Sequence, residues 1–198
     1  MKRTDAVWAI AGKELSERLR NRWIWTVSLL LLAATLAIGF LGAAPVGVVG
    51  AQGGGATLAS IMNLAVYLVP LLALVMGAGA IIDEKQRGLL DLVLTYPVSP
   101  AEYFLGTFVG YALALGIALV TSFVPAGIVL ALSAGIDLGQ YAVLLALILG
   151  LGISFLALSF LISILSRDPG RGIASSVLVW IFAVLVFDLT LVGVLVAF

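Results

Sequence analysis

Charged residues divide this chain into long apolar runs and short polar connectors, and the lengths of the runs predict its elements. No charge falls between Trp23 and Ile82, Tyr103 and Ile136, Leu138 and Ser166, or Gly172 and Phe187. Each run exceeds or approaches the ~20 apolar residues that carry a helix across a bilayer, and the first is long enough for two crossings. The pattern predicts spans at 24–44, 58–82, 101–132, 139–165 and 172–198. Ahead of them, residues 5–22 read as an amphipathic helix on the membrane surface. Trp8, Ala11, Leu15 and Leu19 recur at three- and four-residue spacing, while Lys13, Glu14, Glu17, Arg18 and Arg20 fill the other side. Glu14 and Arg18 form a favourable i,i+4 pair on that polar side. The expected fold is an all-α polytopic membrane protein: one surface helix and five transmembrane helices in a single domain over 1–198.

Capping chemistry sharpens three boundaries. In "SPAE", Ser99 is an N-cap, Pro100 takes the first helical position and Glu102 reaches back to complete a capping box. "DLGQ" offers Asp137 and Gln140 in the same roles, and "DPGR" offers Asp168 as cap with Pro169 following. Pro70 and Pro125 fall inside the second and third spans and predict local kinks.

Composition narrows the chemistry. The chain is 63% hydrophobic and only 10% charged, with no net charge, where a soluble domain is about a quarter charged. Neutrality gives no footprint for nucleic acid. The absence of Cys and His removes disulfides, thiolate chemistry, histidine triads and the ordinary ligands of transition metals. No GxxxxGK[ST] run is present, so the chain has no P-loop for a nucleotide. No cofactor or metal is therefore expected in this chain, nor catalysis by it. The long basic N-terminal region and the long apolar run after it do not fit a cleaved signal peptide.

The basic residues set the topology. Six of the ten precede the first span, Lys85 and Arg87 follow the second, and Arg167 and Arg171 follow the fourth. The connectors after the first and third spans have none. The positive-inside rule then places the N-terminus and the connector 83–100 in the cytoplasm. Five spans from an inside start bring the last residues, "LVGVLVAF", to the outer face in apolar sequence. That arrangement leads us to expect a further span beyond Phe198.

Three features bear on function. The connector between the second and third spans gathers Asp83, Glu84, Lys85, Arg87 and Asp91 beside Leu89, Leu90, Val93 and Leu94. An apolar run too short to span, flanked by charges, is what a docking element requires: knobs for a groove and charges for register. A helix resting on lipid is the alternative. Asp188 stands inside the fifth span, where an ionisable group costs about 2.5–3.5 kcal/mol at the bilayer centre. It reads either as part of a polar path or as a carboxyl bonded to a neighbouring helix near the outer interface. Gly106 and Gly110 have GxxxG spacing, which permits close helix approach and is read here as generic packing.

Taken together, "KELSERLRNRW" leading into the first span and "DEKQRGLLDLVLTYPVSPAEYFLGTFVG" after the second resemble the ABC-2-type permeases, membrane subunits of ATP-binding-cassette transporters. The matching positions are Glu84, Gly88, Leu89 to Leu94, Thr95, Pro97, Leu105 and Gly106. The resemblance implies a coupling segment containing Asp83, Glu84, Arg87, Gly88, Leu89, Leu90, Asp91, Val93 and Leu94 that seats on separate cytoplasmic ATPase subunits. ATP and Mg would be bound there. It further implies a bacterial inner-membrane location, a second copy of the permease, and six spans where five are visible. "LGAA", "TLAS", "LTYPVSP" and "FDLTL" extend the likeness to permeases with a periplasmic partner that serve maturation of the copper–sulfur centre of nitrous oxide reductase. Export of another cargo, such as a lipid or drug, and a membrane assembly factor without transport are the alternatives.

Overall fold

The computed structural model of the chain describes residues 3–41, 54–86, 88 and 99–197. Among these residues there are seven helices and no strand: α1 (Arg3–Arg20), α2 (Arg22–Leu41), α3 (Gly54–Gly77), α4 (Ile82–Gln86), α5 (Pro100–Ala134), α6 (Leu138–Leu165) and α7 (Pro169–Ala197). Five of them, α2, α3, α5, α6 and α7, are long and apolar enough to cross a membrane. The expected all-helical architecture with five candidate spans is the architecture found.

Local chemistry accounts for most of the ends. Ser99 caps α5, with its hydroxyl accepting from the Glu102 amide at 3.3 Å and the Glu102 carboxylate accepting from the Ser99 amide at 2.8 Å. Asp137 caps α6 by accepting from the Gln140 amide, and Asp168 caps α7 by accepting from the Arg171 amide. Helix α7 therefore starts at Pro169, three residues before the charge-free run. Asn21 separates α1 from α2. Its amide donates to the Arg18 carbonyl, its side-chain oxygen accepts from the Trp23 amide, and the Trp25 indole donates back to the Leu19 carbonyl. The elbow thus sits at Asn21, and α1 ends two residues earlier than the amphipathic pattern indicates.

The second span differs more. Hydropathy carries it to Ile82, but the helix stops at Gly77 and a turn runs to α4. The reason lies in α6. The Ser159 hydroxyl donates to the Leu74 carbonyl at 2.5 Å, and Ser163 accepts from the amides of Ile81 and Ile82 at 3.1 and 3.2 Å. Ser163 supplies an acceptor to two amides of the broken turn where water is scarce, while Ser159 adds a second donor to a carbonyl that already accepts the Ala78 amide at 3.0 Å. Pro70 lies within α3 and cannot donate to the Val66 carbonyl in the preceding turn. The Trp180 indole of α7 donates to the Tyr67 carbonyl in that turn at 2.8 Å.

Packing centres on α5 and α6. Helices α1 and α2 lie against α5, and α3 lies against α6. Phe160 of α6 is fully buried, with the rings of Phe104, Phe108 and Tyr111 of α5 edge-on to it at 5.8, 5.3 and 5.2 Å. Such aromatic pairs contribute about 0.5–1.5 kcal/mol each beyond area burial.

Helix α1 is turned differently from the surface helix expected. Its protein-facing stripe is Ala6, Ala11 and Glu14, all buried, whereas Trp8 is 64% exposed. Glu14, placed by the sequence pattern on the polar side, is 1% exposed. The GxxxG pair explains this. A Cβ on Gly106 would stand 2.7 Å from Ile10 Cβ, and one on Gly110 would stand 2.5 Å from Glu14 Cβ and 2.8 Å from the Ala11 carbonyl. The spacing read as generic packing is the seat of α1.

Two predictions follow from these contacts. Gly110→Leu overpacks the α1–α5 seam, with a cost of about 1–3 kcal/mol. It should lower the melting temperature of the purified protein and expose α1 to protease. Gly116→Ala, where a Cβ meets open space, should do neither, and equal behaviour of the two variants would refute the seam. Ser163→Ala leaves two amides unpartnered at about 1–3 kcal/mol for a buried donor. A melting temperature equal to that of the parent would show that the α3 break is satisfied otherwise.

Candidate coupling junction

The break after Gly77 delivers the start of the connector, α4, to a cluster of charged groups at one end of the bundle. Lys13 of α1 is its hub. Its Nζ lies 3.0 Å from Glu14, 3.6 Å from Glu17 and 3.5 Å from Glu84 of α4. Burial alone would lower the Lys13 pKa, but Glu14, Glu84 and Glu17 together raise it above the ordinary lysine value, so the amine stays charged at neutral pH. Arg18, one turn on from Glu14, approaches that carboxylate at 3.7 Å and lies over the Tyr111 ring at 4.3 Å from its centroid. Buried Glu14 is thus flanked by two cations, the arrangement that lets a carboxylate lie inside a protein. The Lys13–Glu84 pair links α1 to α4.

Other contacts fix α4 from behind. The amides of Ile81 and Ile82, at the α4 start, rest on Ser163 of α6. The Gln86 side chain donates to the Arg167 carbonyl in the turn before α7 at 3.5 Å. A Cβ on Gly172 of α7 would stand 2.8 Å from the Ala78 carbonyl, so α7 abuts the turn directly. Helix α4 ends at Gln86; beyond it Gly88 has a φ of 69°, left-handed backbone that glycine adopts without cost, and its amide donates to the Lys85 carbonyl.

The predicted site residues divide accordingly. Glu84 is turned inward to Lys13, with its side chain 14% exposed. Asp83 is half-buried and lines a cavity with Arg18 and Tyr111. Gly88 lies in the turn after α4. Arg87, Leu89, Leu90, Asp91, Val93 and Leu94 lie outside the described residues. Asp188 lies on α7, 19 residues after Pro169, or about 28 Å along at 1.5 Å per residue. Its side chain is outside the described residues. The sequence reading missed Lys13, Ser159 and Ser163 as members of the junction. The two serines stand four residues apart in "SFLIS" and so share one face of α6, a signal that was present in the sequence.

Among the described residues no group of three His, Cys, Asp or Glu is placed to hold a metal ion. The junction joins elements; it is built of ion pairs and hydroxyl-to-backbone bonds rather than of a nucleophile and a base.

Comparison with known proteins agrees with this anatomy. The ABC-2 family transporter protein profile matches residues 8–198. The "Probable ABC transporter permease protein NosY" of Pseudomonas aeruginosa is 40% identical over 195 residues, covering 96% of this chain and 71% of that protein. The protein of the same name from Stutzerimonas stutzeri is 39% identical over 197 residues, covering 97% of this chain and 71% of its own length. The chain belongs to the ABC-2 transporter family and is a multi-pass transmembrane permease subunit that works with a cytoplasmic ATPase.

Proposed function

We propose that the segment 83–100 is the surface on which the ATPase seats, and that its motion passes to the spans through the junction at its root. The observation that carries this reading is the attachment of α4 on two sides: to α1 by Lys13–Glu84 and to α6 by Ser163. An element that only tethered two spans would need neither. In this reading Leu89, Leu90, Val93 and Leu94 enter a groove on the ATPase. The charges Glu84, Arg87 and Asp91 set the position of the segment, Glu84 from the inner side through Lys13. The permease itself is non-catalytic, and ATP with Mg is bound and hydrolysed by its partner.

The same reading places the protein in a bacterial inner membrane with its N-terminus in the cytoplasm, paired with a second copy of itself. The similarity to the two NosY proteins, together with the motifs at Leu41, Thr57, Leu94 and Phe187, supports a role in maturing the copper–sulfur centre of nitrous oxide reductase with a periplasmic partner. Asp188, toward the far end of α7, serves that cycle from within the span.

Affinity purification of the tagged chain tests the docking. Leu90→Asp should abolish co-purification of the ATPase while leaving membrane insertion intact, because an unpaired carboxylate in an apolar groove costs several kcal/mol. Retention of the ATPase and its stimulated turnover would mean that the segment rests on lipid. Lys13→Ala and Glu84→Ala should each weaken coupling only partly, since a partly exposed pair contributes about 0–1 kcal/mol. Their double variant should lose little more than either one, because both remove the same bond. Fully additive losses would show that the pair does not act as a unit.

Asp188→Asn keeps size and hydrogen-bonding capacity but removes the charge. It should lower reductase maturation at near-normal protein level, and unchanged maturation would leave Asp188 a structural role only.

A further inference from the structure

A cavity of about 230 Å³ opens beside the junction, between the α1–α2 elbow, the end of α3, α4, α5 and the start of α7. Its walls carry two opposite charges, Arg18 and Asp83, and an aromatic surface from Trp23 and Tyr111. Arg18 and Asp83 do not meet: among the described residues no ion pair or hydrogen bond joins them, and none reaches the Asp83 carboxylate. The Arg18 side chain is 32% exposed and Asp83 is half-buried, so each offers polar atoms to the cavity. Opposite charges that line one small cavity without pairing with each other suit a ligand that carries both signs.

From this geometry we infer that the cavity binds the head group of a phospholipid bearing a primary amine. The phosphate takes an exposed N–H of the Arg18 guanidinium, and the ammonium donates to Asp83. Arginine suits phosphate because it is always charged, and the contact is charge-assisted at both ends. Three observations favour a lipid over a soluble zwitterion. The cavity lies where α2 and α7 begin, at the membrane–cytoplasm boundary predicted by the positive connectors. Its rim residues Trp23 and Ile173 are 43% and 47% exposed, and Met76 and Ile24 continue an apolar wall. Its volume falls below the ~300–1,000 Å³ of pockets that enclose a whole small molecule, which suits a head group whose chains remain outside. An anionic lipid lacking the amine would leave Asp83 unpaired, and a choline head has no N–H to offer it. The occupant would rest against α4 and the elbow together, so its presence bears on the position of the connector root.

Native mass spectrometry of the delipidated full chain tests this, with phosphatidylethanolamine, phosphatidylcholine and phosphatidylglycerol of identical acyl chains supplied in equal amounts. Phosphatidylethanolamine should be retained over the other two by about tenfold, the ratio that one charge-assisted bond of ~1.4 kcal/mol produces. Asp83→Asn should erase the preference over phosphatidylglycerol while lipid still binds, and Arg18→Gln should weaken all three. Should Arg18→Gln fail to fold, Asp83→Asn decides alone, since no described residue depends on that carboxylate. Equal retention of the three lipids by the parent, or an Asp83→Asn variant with its preference intact, overturns the inference. Displacement of the lipid by an equal concentration of soluble phosphoethanolamine also overturns it, because the ligand would then be a free amine phosphate.

Discussion

A helix that stops at the edge of a bilayer leaves backbone amides and carbonyls without partners, in a place where water cannot be relied on to supply them. Helix α3 stops in this way after Gly77, and the arrangement of that end of the bundle depends on how its loose groups are satisfied. Ser163 takes the amides of Ile81 and Ile82, and Ser159 adds a second bond to the Leu74 carbonyl, which also accepts the Ala78 amide. A hydroxyl can do both because it carries one donor and two acceptor lone pairs. The consequence is mechanical. The root of the connector is bonded to the backbone side of its own span and to α6, so it cannot swing without disturbing the span that follows α5.

The second attachment is made by α1, and it depends on the close approach permitted at Gly106 and Gly110. With α1 seated there, Glu14 is carried into the protein, where only the cations beside it make its charge tolerable. Lys13 then stands between that buried carboxylate and Glu84 of α4. Each ion pair is individually weak, but the group shares Lys13, and holding one side chain serves several contacts. The Lys13 pair and the Ser163 bonds therefore hold α4 from the sides of α1 and α6.

Much of this was legible in the sequence, and the limit of legibility has a physical cause. Span number followed from charge-free length, and the starts of α5, α6 and α7 followed from Ser99, Asp137 and Asp168, because a cap is a bond between residues three apart. The break in α3 was not legible from its own residues. Its sequence stays apolar through Ile82, and the groups that stabilise the break lie more than 80 positions away in α6. Glu14 was misplaced for the same reason: amphipathic spacing describes one helix, and the burial of Glu14 is decided by two glycines on another. Asp83 and Glu84 stood out as charges in an apolar chain, but their different surroundings, a cavity for one and Lys13 for the other, emerge only when α1, α4 and α5 are brought together.

The account turns on α4 and α1 moving as one body. The chain contains no Cys, so spin labels attach only where cysteines are introduced, and Glu17 and Lys85 are exposed positions on the two helices. The direct measurement is the distance between labels at these positions in the ATPase-bound protein, without nucleotide and trapped with ATP. A single distance common to both states is the predicted result. A distance that changes when ATP is trapped would mean that the junction opens during the cycle, and that the connector is not joined to the spans through α1.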